Sequence, residues 1–470
     1  MNKNNELLKN TAIIAFGKIC TQLISFLLLP LYTEILTTSE YGTVDLVLTY
    51  SSLFLPIVTL ALEQSVFRYL IDVRKENERK KEFISTCLLL CFVTLTCIEA
   101  SLLYISLVLK RNILIYFCLV LFASAISALF LQICRGLGDN IGYSVASFII
   151  AIVQIAFNIF FLVVLKLGAS GMMLATFFGN IIGVLYIFFR CKIWKYVSIK
   201  SSNKETLGLM LRYSLPLIPN QLAWWVLQAS DKVIVQFFIG IAGNGLIAVA
   251  NKFSGAYMQF NTIFNISWTE SATLHIKDDD AYDFFTKTIN SVMILFLCIC
   301  CGIIVCLPFA FPILINHQYN EAYCLIPIFM LGSLFNVMVS VYGVIYVAFK
   351  DSVEIMKTAI FAALINIISH LLLIKYIGIY AAAVSTTIGF GVMALYRYFH
   401  SRRYLVVKLY KKSLFISAIM LLISFTSYYS GNTYLQVVAF SFVLVCSIFL
   451  NKNIIIGIIK TIRGFFKKTI

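Results

Sequence analysis

The chain is poor in charge. Only 12% of its 470 residues are Asp, Glu, Lys or Arg, about half the share of a water-soluble domain. Histidine is scarcer still, with His275, His317, His370 and His400 standing singly. Seven prolines leave little to interrupt helices of about 20 residues. No hydrophilic stretch is long enough to build a separate soluble domain. The sequence has no cysteine at ligand spacing from a histidine and no glycine-rich loop ending in Lys-Ser/Thr. It therefore gives no reason to expect a structural metal, a disulfide framework or nucleotide binding. Alternating ten-residue segments of the outer-membrane barrel kind are missing too.

What is present is apolar. Hydrophobic residues make up 61% of the chain, with 40 Phe and 25 Tyr, and the mean hydropathy is +0.92. Apolar runs fall at roughly 11–31, 46–70, 84–109, 113–134, 143–165, 170–190, 211–236, 244–266, 288–314, 322–348, 355–375, 379–399, 413–430 and 433–450. Each of these about fourteen runs is long enough for a hydrocarbon core of about 30 Å. The expected fold is an all-α polytopic membrane protein. The thirteen cysteines lie mostly inside such runs, where cysteine serves as a small hydrophobe.

A net charge of +16 would point to nucleic acid in a soluble protein. Here its distribution gives another reason. With both termini cytoplasmic, the far side receives Lys110, Arg111, Lys166 and Lys375, and Lys18, Lys232 and Lys252 fall within spans. The rest of the 37 basic residues lie on the cytoplasmic side, as the positive-inside rule requires. No small-residue cleavage pattern follows the first run, so Met1–Asn10 reads as a cytoplasmic tail.

The widest polar gaps, 191–210 and 267–287, suggest three parts: a six-span lobe at 1–200, a second at 201–405, and two further spans with a basic tail at 406–470. Faint self-similarity supports two halves. The stretches beginning at Asn158 and Asn366 both run through apolar residues and a lysine to Gly168 or Gly378, then into a small-residue helix start. Tyr41–Gly42 is echoed by Asn244–Gly245. An even number of spans per half makes the repeats parallel, an arrangement common in transporters.

Polar groups at membrane depth mark cavities or partners. Lys18, Gln22 and Ser25 share one helical face; the lysine either lines a cavity or snorkels to headgroups. Glu63, Gln64 and Arg68 close the second span. Arg68 either holds an anion through its two-pronged guanidinium or begins the basic loop. Arg135 opens RGLGD, which reads as a tight hinge. The richest segment is LPLIPNQLAWWVLQASDKVIV, with Asn220, Gln221, Trp224, Gln228, Asp231 and Lys232, followed by Asn251, Lys252 and Glu270. Amides with indoles suit a sugar, since amides bond hydroxyls and indole faces stack on rings. Asp231 beside Lys232 equally suits an ion pair with a neighbouring helix.

The opening NTAIIAFGKICTQLISFLLLPLYTEILTTSEYGTVDL, the fourth-span end ILQICRGLGD, and RYSLPLIPNQLAWWVLQASDKVIV running on to GNGLIAVANKFS together resemble bacterial polysaccharide flippases. These are O-antigen and capsule repeat-unit transporters of the multidrug/oligosaccharidyl-lipid/polysaccharide exporter superfamily. The resemblance covers about residues 10–400. It implies two six-helix lobes around a central cavity plus two C-terminal helices, and no enzymatic activity. It implies a protein of the bacterial inner membrane that flips an undecaprenyl-pyrophosphate-linked oligosaccharide outward by alternating access, without a bound cofactor. A proton or sodium ion would be the coupling ion, and a polysaccharide polymerase and export machinery the partners. By position it makes Lys18, Arg68, Arg135, Lys232 and Lys252 cavity charges, and Asp231, Glu63 and Glu270 the ion-coupling candidates. A drug or small-solute exporter, a lipid II flippase and, in a different class, a membrane glycosyltransferase or polymerase are the alternatives.

Overall fold

The computed structural model describes residues 26, 28–198, 201–276, 278–349, 351–452 and 456. Regular structure among them is helical, and ten of the described helices are long and apolar enough to cross a membrane. The protein is an all-α polytopic membrane protein. The chain folds as two compact units, Met1–Ala248 and Val249–Ile470.

The first unit begins with α1 (Leu29–Ile35), α2 (Thr38–Val58) and α3 (Leu62–Asp72). A capping box opens α2: Thr37 accepts from the Glu40 N–H at 3.2 Å, and Glu40 accepts from the Thr37 N–H at 2.9 Å. The single span expected at 46–70 is two helices. Pro56 lies in the last turn of α2, and Leu60 and Ala61 take left-handed φ values of 51° and 52°. A break inside a bilayer needs new partners for the freed carbonyls. The next helix, α4 (Asn77–Leu109), supplies them. Thr94 Oγ1 donates to Val58 O at 2.7 Å, Cys91 Sγ to Thr59 O at 3.7 Å and Cys87 Sγ to Leu62 O at 3.9 Å.

Then come α5 (Ile113–Gly136), α6 (Asn140–Ile159, extended by a π-turn at Phe160–Val164) and α7 (Gly168–Arg190). RGLGD is a hinge, as its glycines suggest. Gly138 has φ +95°, and the Asp139 carboxylate caps α6 by accepting from the Gly142 N–H at 2.7 Å. Burial pushes the Asp139 carboxyl up, but Arg190 and that N–H outweigh it and hold the group below its usual range. Gly179 and Gly183 let α7 lie close on Ile150 and Gln154 of α6, the small-residue contact of membrane helices. Leu62, Val66, Phe83, Ile84, Cys87 and Ile133 form the core where α3, α4 and α5 meet.

The run expected at 211–236 starts earlier and is broken. α8 (Lys204–Ser214) and α9 (Leu217–Phe238) are separated at Leu215–Pro216, where proline favours a helix start over continuation. α10 (Ile241–His275) is longer than the expected 244–266, so most of the anticipated 267–287 loop is helix. Gly42 and Gly245, paired in sequence by their similar surroundings, also meet in space. A Cβ on Gly42 would strike the Ile241 carbonyl, and one on Gly245 the Thr38 carbonyl.

In the second unit, α10 continues into α11 (Ala281–Leu314), α12 (Asn320–Ala348), α13 (Ser352–Ile377), α14 (Tyr380–His400), α15 (Lys411–Ser430) and α16 (Thr433–Leu450). Ile294, Cys301 and Val305 of α11 pack on Met420 of α15 and on Ala439 and Val443 of α16. Gly378 ends α13 at φ +55°, matching the +57° of Gly168, its counterpart in the sequence echo. Arg397 of α14 is buried; it donates to Val339 O at 2.9 Å and to Thr358 Oγ1 at 2.8 Å, tying α14 to α12 and α13.

Candidate functional site

A polar cavity of about 530 Å³ lies between α2 and α9 in the first unit. α2 turns Asp45, Thr49 and Ser52 toward it, and α9 turns Gln221, Trp225, Gln228 and Lys232. Steps of three and four residues place each set on one helical face. Lys232 Nζ lies 2.9 Å from Asp45 Oδ1, 2.8 Å from Oδ2 and 3.3 Å from Thr49 Oγ1. Both charged side chains are 19% exposed, so the pair is shielded but remains open to the cavity. The Trp225 indole N–H donates to Thr49 O at 3.0 Å and to Ser52 Oγ at 3.1 Å. That fixes one ring as a wall. Trp224 also lines the cavity and is 41% exposed, leaving a ring face for stacking. Tyr50 donates to Gln236 Oε1 at 2.8 Å, a second α2–α9 tie.

Of the residues singled out in sequence, Gln221, Trp224, Gln228 and Lys232 gather here. Asn220 is exposed on α9 without lining the cavity, and Asp231, one position from Lys232, is buried away from it. The neighbouring-helix partner of this Asp–Lys pair of residues is thus made by Lys232. Glu63 is buried and accepts from Thr59 Oγ1 at 2.8 Å, with the Gln221 amide also bonded to it. Arg68 is an exposed residue paired with Asp72 at 2.7 Å, one turn along α3. The Arg135 guanidinium sits 4.5 Å from the Phe67 ring centroid. Asn251 and Lys252 are half-buried on α10 in the second unit. Lys18, Gln22 and Ser25 lie outside the described residues, and the side chain of Glu270 outside the described side chains.

Sequence reasoning missed Asp45. It stands one residue before the expected 46–70 span and so reads as a loop charge. Its only signal was its spacing to Thr49 and Ser52. Glu99, half-buried in α4 and bonded to Cys118 of α5, was also missed.

A family model described as "Polysaccharide biosynthesis protein" matches residues 7–269. No curated protein matches in sequence. Among solved structures, the chain is similar to a lipid II flippase, MurJ, in an inward closed conformation, at 16% identity and a TM-score of 0.70, covering 96% of this chain and 100% of that one. It is similar to a multidrug resistance MATE family transporter of the MOP superfamily in its inward-facing conformation, at 13% identity and a TM-score of 0.69, covering 81% and 94%. The outward-facing conformation described under the same family name gives 14% identity and a TM-score of 0.58, covering 84% and 95%. At these identities the likeness is one of fold.

Proposed function

Because this chain belongs to the polysaccharide biosynthesis protein family, with the fold of MOP-superfamily transporters rather than of an enzyme, we propose that it flips an undecaprenyl-pyrophosphate-linked oligosaccharide from the inner to the outer leaflet of the bacterial cytoplasmic membrane. The observation that carries the reading is the cavity between α2 and α9. It offers one cation held in reserve by Asp45, amides from Gln221 and Gln228, and an open indole face at Trp224. A pyrophosphate needs a cation, sugars need amides and ring faces, and a prenyl tail can stay in lipid.

In this reading the anion competes with Asp45 for Lys232. Protonating Asp45 would release Lys232 to the anion, and deprotonating it would take the lysine back and eject the substrate. A sodium ion could replace the proton at the same carboxylate. Asp231, Glu63 and Glu270 remain the other acidic candidates for coupling. The chain would cross the membrane about fourteen times, counting each run of about 20 apolar residues as one crossing, as lobes 1–200 and 201–405 and a final pair of spans at 406–470, with both termini cytoplasmic and the lobes rocking to alternate access.

Similarity to a lipid II flippase over the full length of that chain favours a lipid-linked cargo over a freely soluble one. The test is reconstitution in proteoliposomes with fluorescent undecaprenyl-pyrophosphate oligosaccharide, scoring its arrival in the opposite leaflet. Transport is expected for the intact chain and a severe loss for Lys232→Ala. Efflux of cationic dyes without movement of the lipid-linked substrate would overturn the reading in favour of a drug exporter.

A further inference from the structure

Three potential metal ligands, two of them five residues apart and the third 57 from the first, converge at one end of the first unit. Cys134 lies in the last turn of α5, Asp139 caps α6, and Cys191 follows α7. The two Sγ atoms are 3.5 Å apart, and an Asp139 carboxylate oxygen lies within 4.8 Å of both. We propose that Cys134, Cys191 and Asp139 form a binding site for a thiophilic divalent cation such as Zn²⁺, fastening together the ends of α5, α6 and α7.

The spacing supports it. Zinc–sulfur bonds of about 2.3 Å at tetrahedral angles place two sulfurs about 3.8 Å apart. The thiols therefore need to move by only a few tenths of an ångström to bind an ion, whereas a disulfide, at about 2.0 Å, needs a much larger approach.

The charges support it as well. Two thiolates and a carboxylate around a divalent ion leave one negative charge, and Arg190, 2.6 Å from Asp139 Oδ2, cancels it. Arg190 donates through both Nε–H and Nη2–H and orients the carboxylate from behind, as hydrogen-bonding partners of metal ligands do. Oδ1 accepts from the Gly142 N–H and from Arg190 Nη2, whereas Oδ2, taking the Arg190 Nε–H, keeps a second lone pair for the ion. Cys134 is buried, while Cys191 and Asp139 are half-buried. An ion can therefore enter from solvent, and a water can complete the coordination. The Cys134 Sγ–H now donates to Asp139 O at 3.4 Å, and losing that proton on metal binding costs one weak bond. The site stands apart from the α2–α9 cavity and does not depend on the cargo proposed for it.

The test uses the purified full chain, reduced and stripped with chelator, then titrated with Cd²⁺ and separately with Zn²⁺. We expect one ion per chain with a sulfur-to-cadmium charge-transfer band. Cys134→Ser and Cys191→Ser should each weaken binding by about 100-fold or more, and Asp139→Asn by about 10-fold with the band retained. Zn²⁺ should also protect Cys134 and Cys191 of the unaltered chain from alkylation, read peptide by peptide, which needs no variant to fold. Equal binding by the intact chain and both serine variants would overturn the proposal. So would equal alkylation with and without Zn²⁺, or recovery of Cys134–Cys191 as a disulfide from the reduced preparation.

Discussion

At the scale of single residues, the Lys232–Asp45 pair decides most. Breaking a fully buried pair by deleting one partner costs about 3–5 kcal/mol. With each side chain 19% exposed, water relieves part of that, and Lys232→Ala should cost about 2 kcal/mol. The double variant Asp45→Asn with Lys232→Met leaves no stranded charge and should be more stable than Lys232→Ala alone, while transporting no better. Thermal unfolding in detergent beside a flux assay separates the two effects. Asp45→Asn by itself frees the lysine permanently, so it should bind the anionic substrate more tightly yet release it slowly. Equal substrate affinity in Asp45→Asn and the unaltered chain would remove the carboxylate from the cycle. The sequence displayed Lys232 clearly, because a lysine inside an apolar run stands out. Its partner was hidden because Asp45 sits at the edge of a run and 187 positions away, a distance that no spacing rule spans.

At the scale of elements, the α2–α3 break gives two predictions of opposite sign. Thr94→Val leaves the Val58 carbonyl without its 2.7 Å donor and should destabilise by about 1–2 kcal/mol. Ala61→Gly removes a Cβ from a left-handed residue at φ 52° and should stabilise by about 1 kcal/mol. Unfolding midpoints of the two variants, measured together, check both. The helices themselves were legible as apolar runs with polar punctuation. The break was not, because Leu60 and Ala61 are as apolar as the residues just before Thr59, and the donors that repair it come from another helix. The Leu215–Pro216 joint shows the converse. Its proline was visible in the sequence, but whether that proline would bend one helix or begin another depended on how α8 packs against α3 and α4.

At the scale of the whole molecule, the charge distribution predicts orientation. Single cysteines at Glu78 and Glu205, both exposed, should be blocked by reagents only from the cytoplasmic side. Asn112 and Tyr434, also exposed, should be blocked only from outside. Labelling of Glu205→Cys from outside would break the six-plus-six-plus-two division, because that segment joins the first two parts. Gly42→Ala and Gly245→Ala test a packing feature of the first unit. Each added methyl meets a backbone carbonyl that cannot rotate away, so each should cost about 1–3 kcal/mol. The sequence echo of Tyr41–Gly42 and Asn244–Gly245 hinted at kinship between the two segments. It did not say that they touch. The cysteines give the same lesson: Cys134 ends an apolar run and Cys191 opens a polar gap, and only the folded chain brings them together.

The Lys232–Asp45 contact has a consequence for synthesis. α2 leaves the ribosome long before α9, and the separation of 187 positions takes about 10–40 s at 5–20 residues per second. Throughout that time Asp45 sits in a membrane helix before its lysine exists, and an acid at helix depth costs up to about 3 kcal/mol on insertion scales. The nascent chain must therefore keep α2 near the insertion machinery or at the headgroup level until α9 arrives. Nascent chains halted before Leu217 should leave α2 extractable or crosslinked to the insertion machinery, and chains halted after Phe238 should not. Asp45→Asn should erase the difference. The ion pair would then act as a timer for assembly as well as a lining for the cavity.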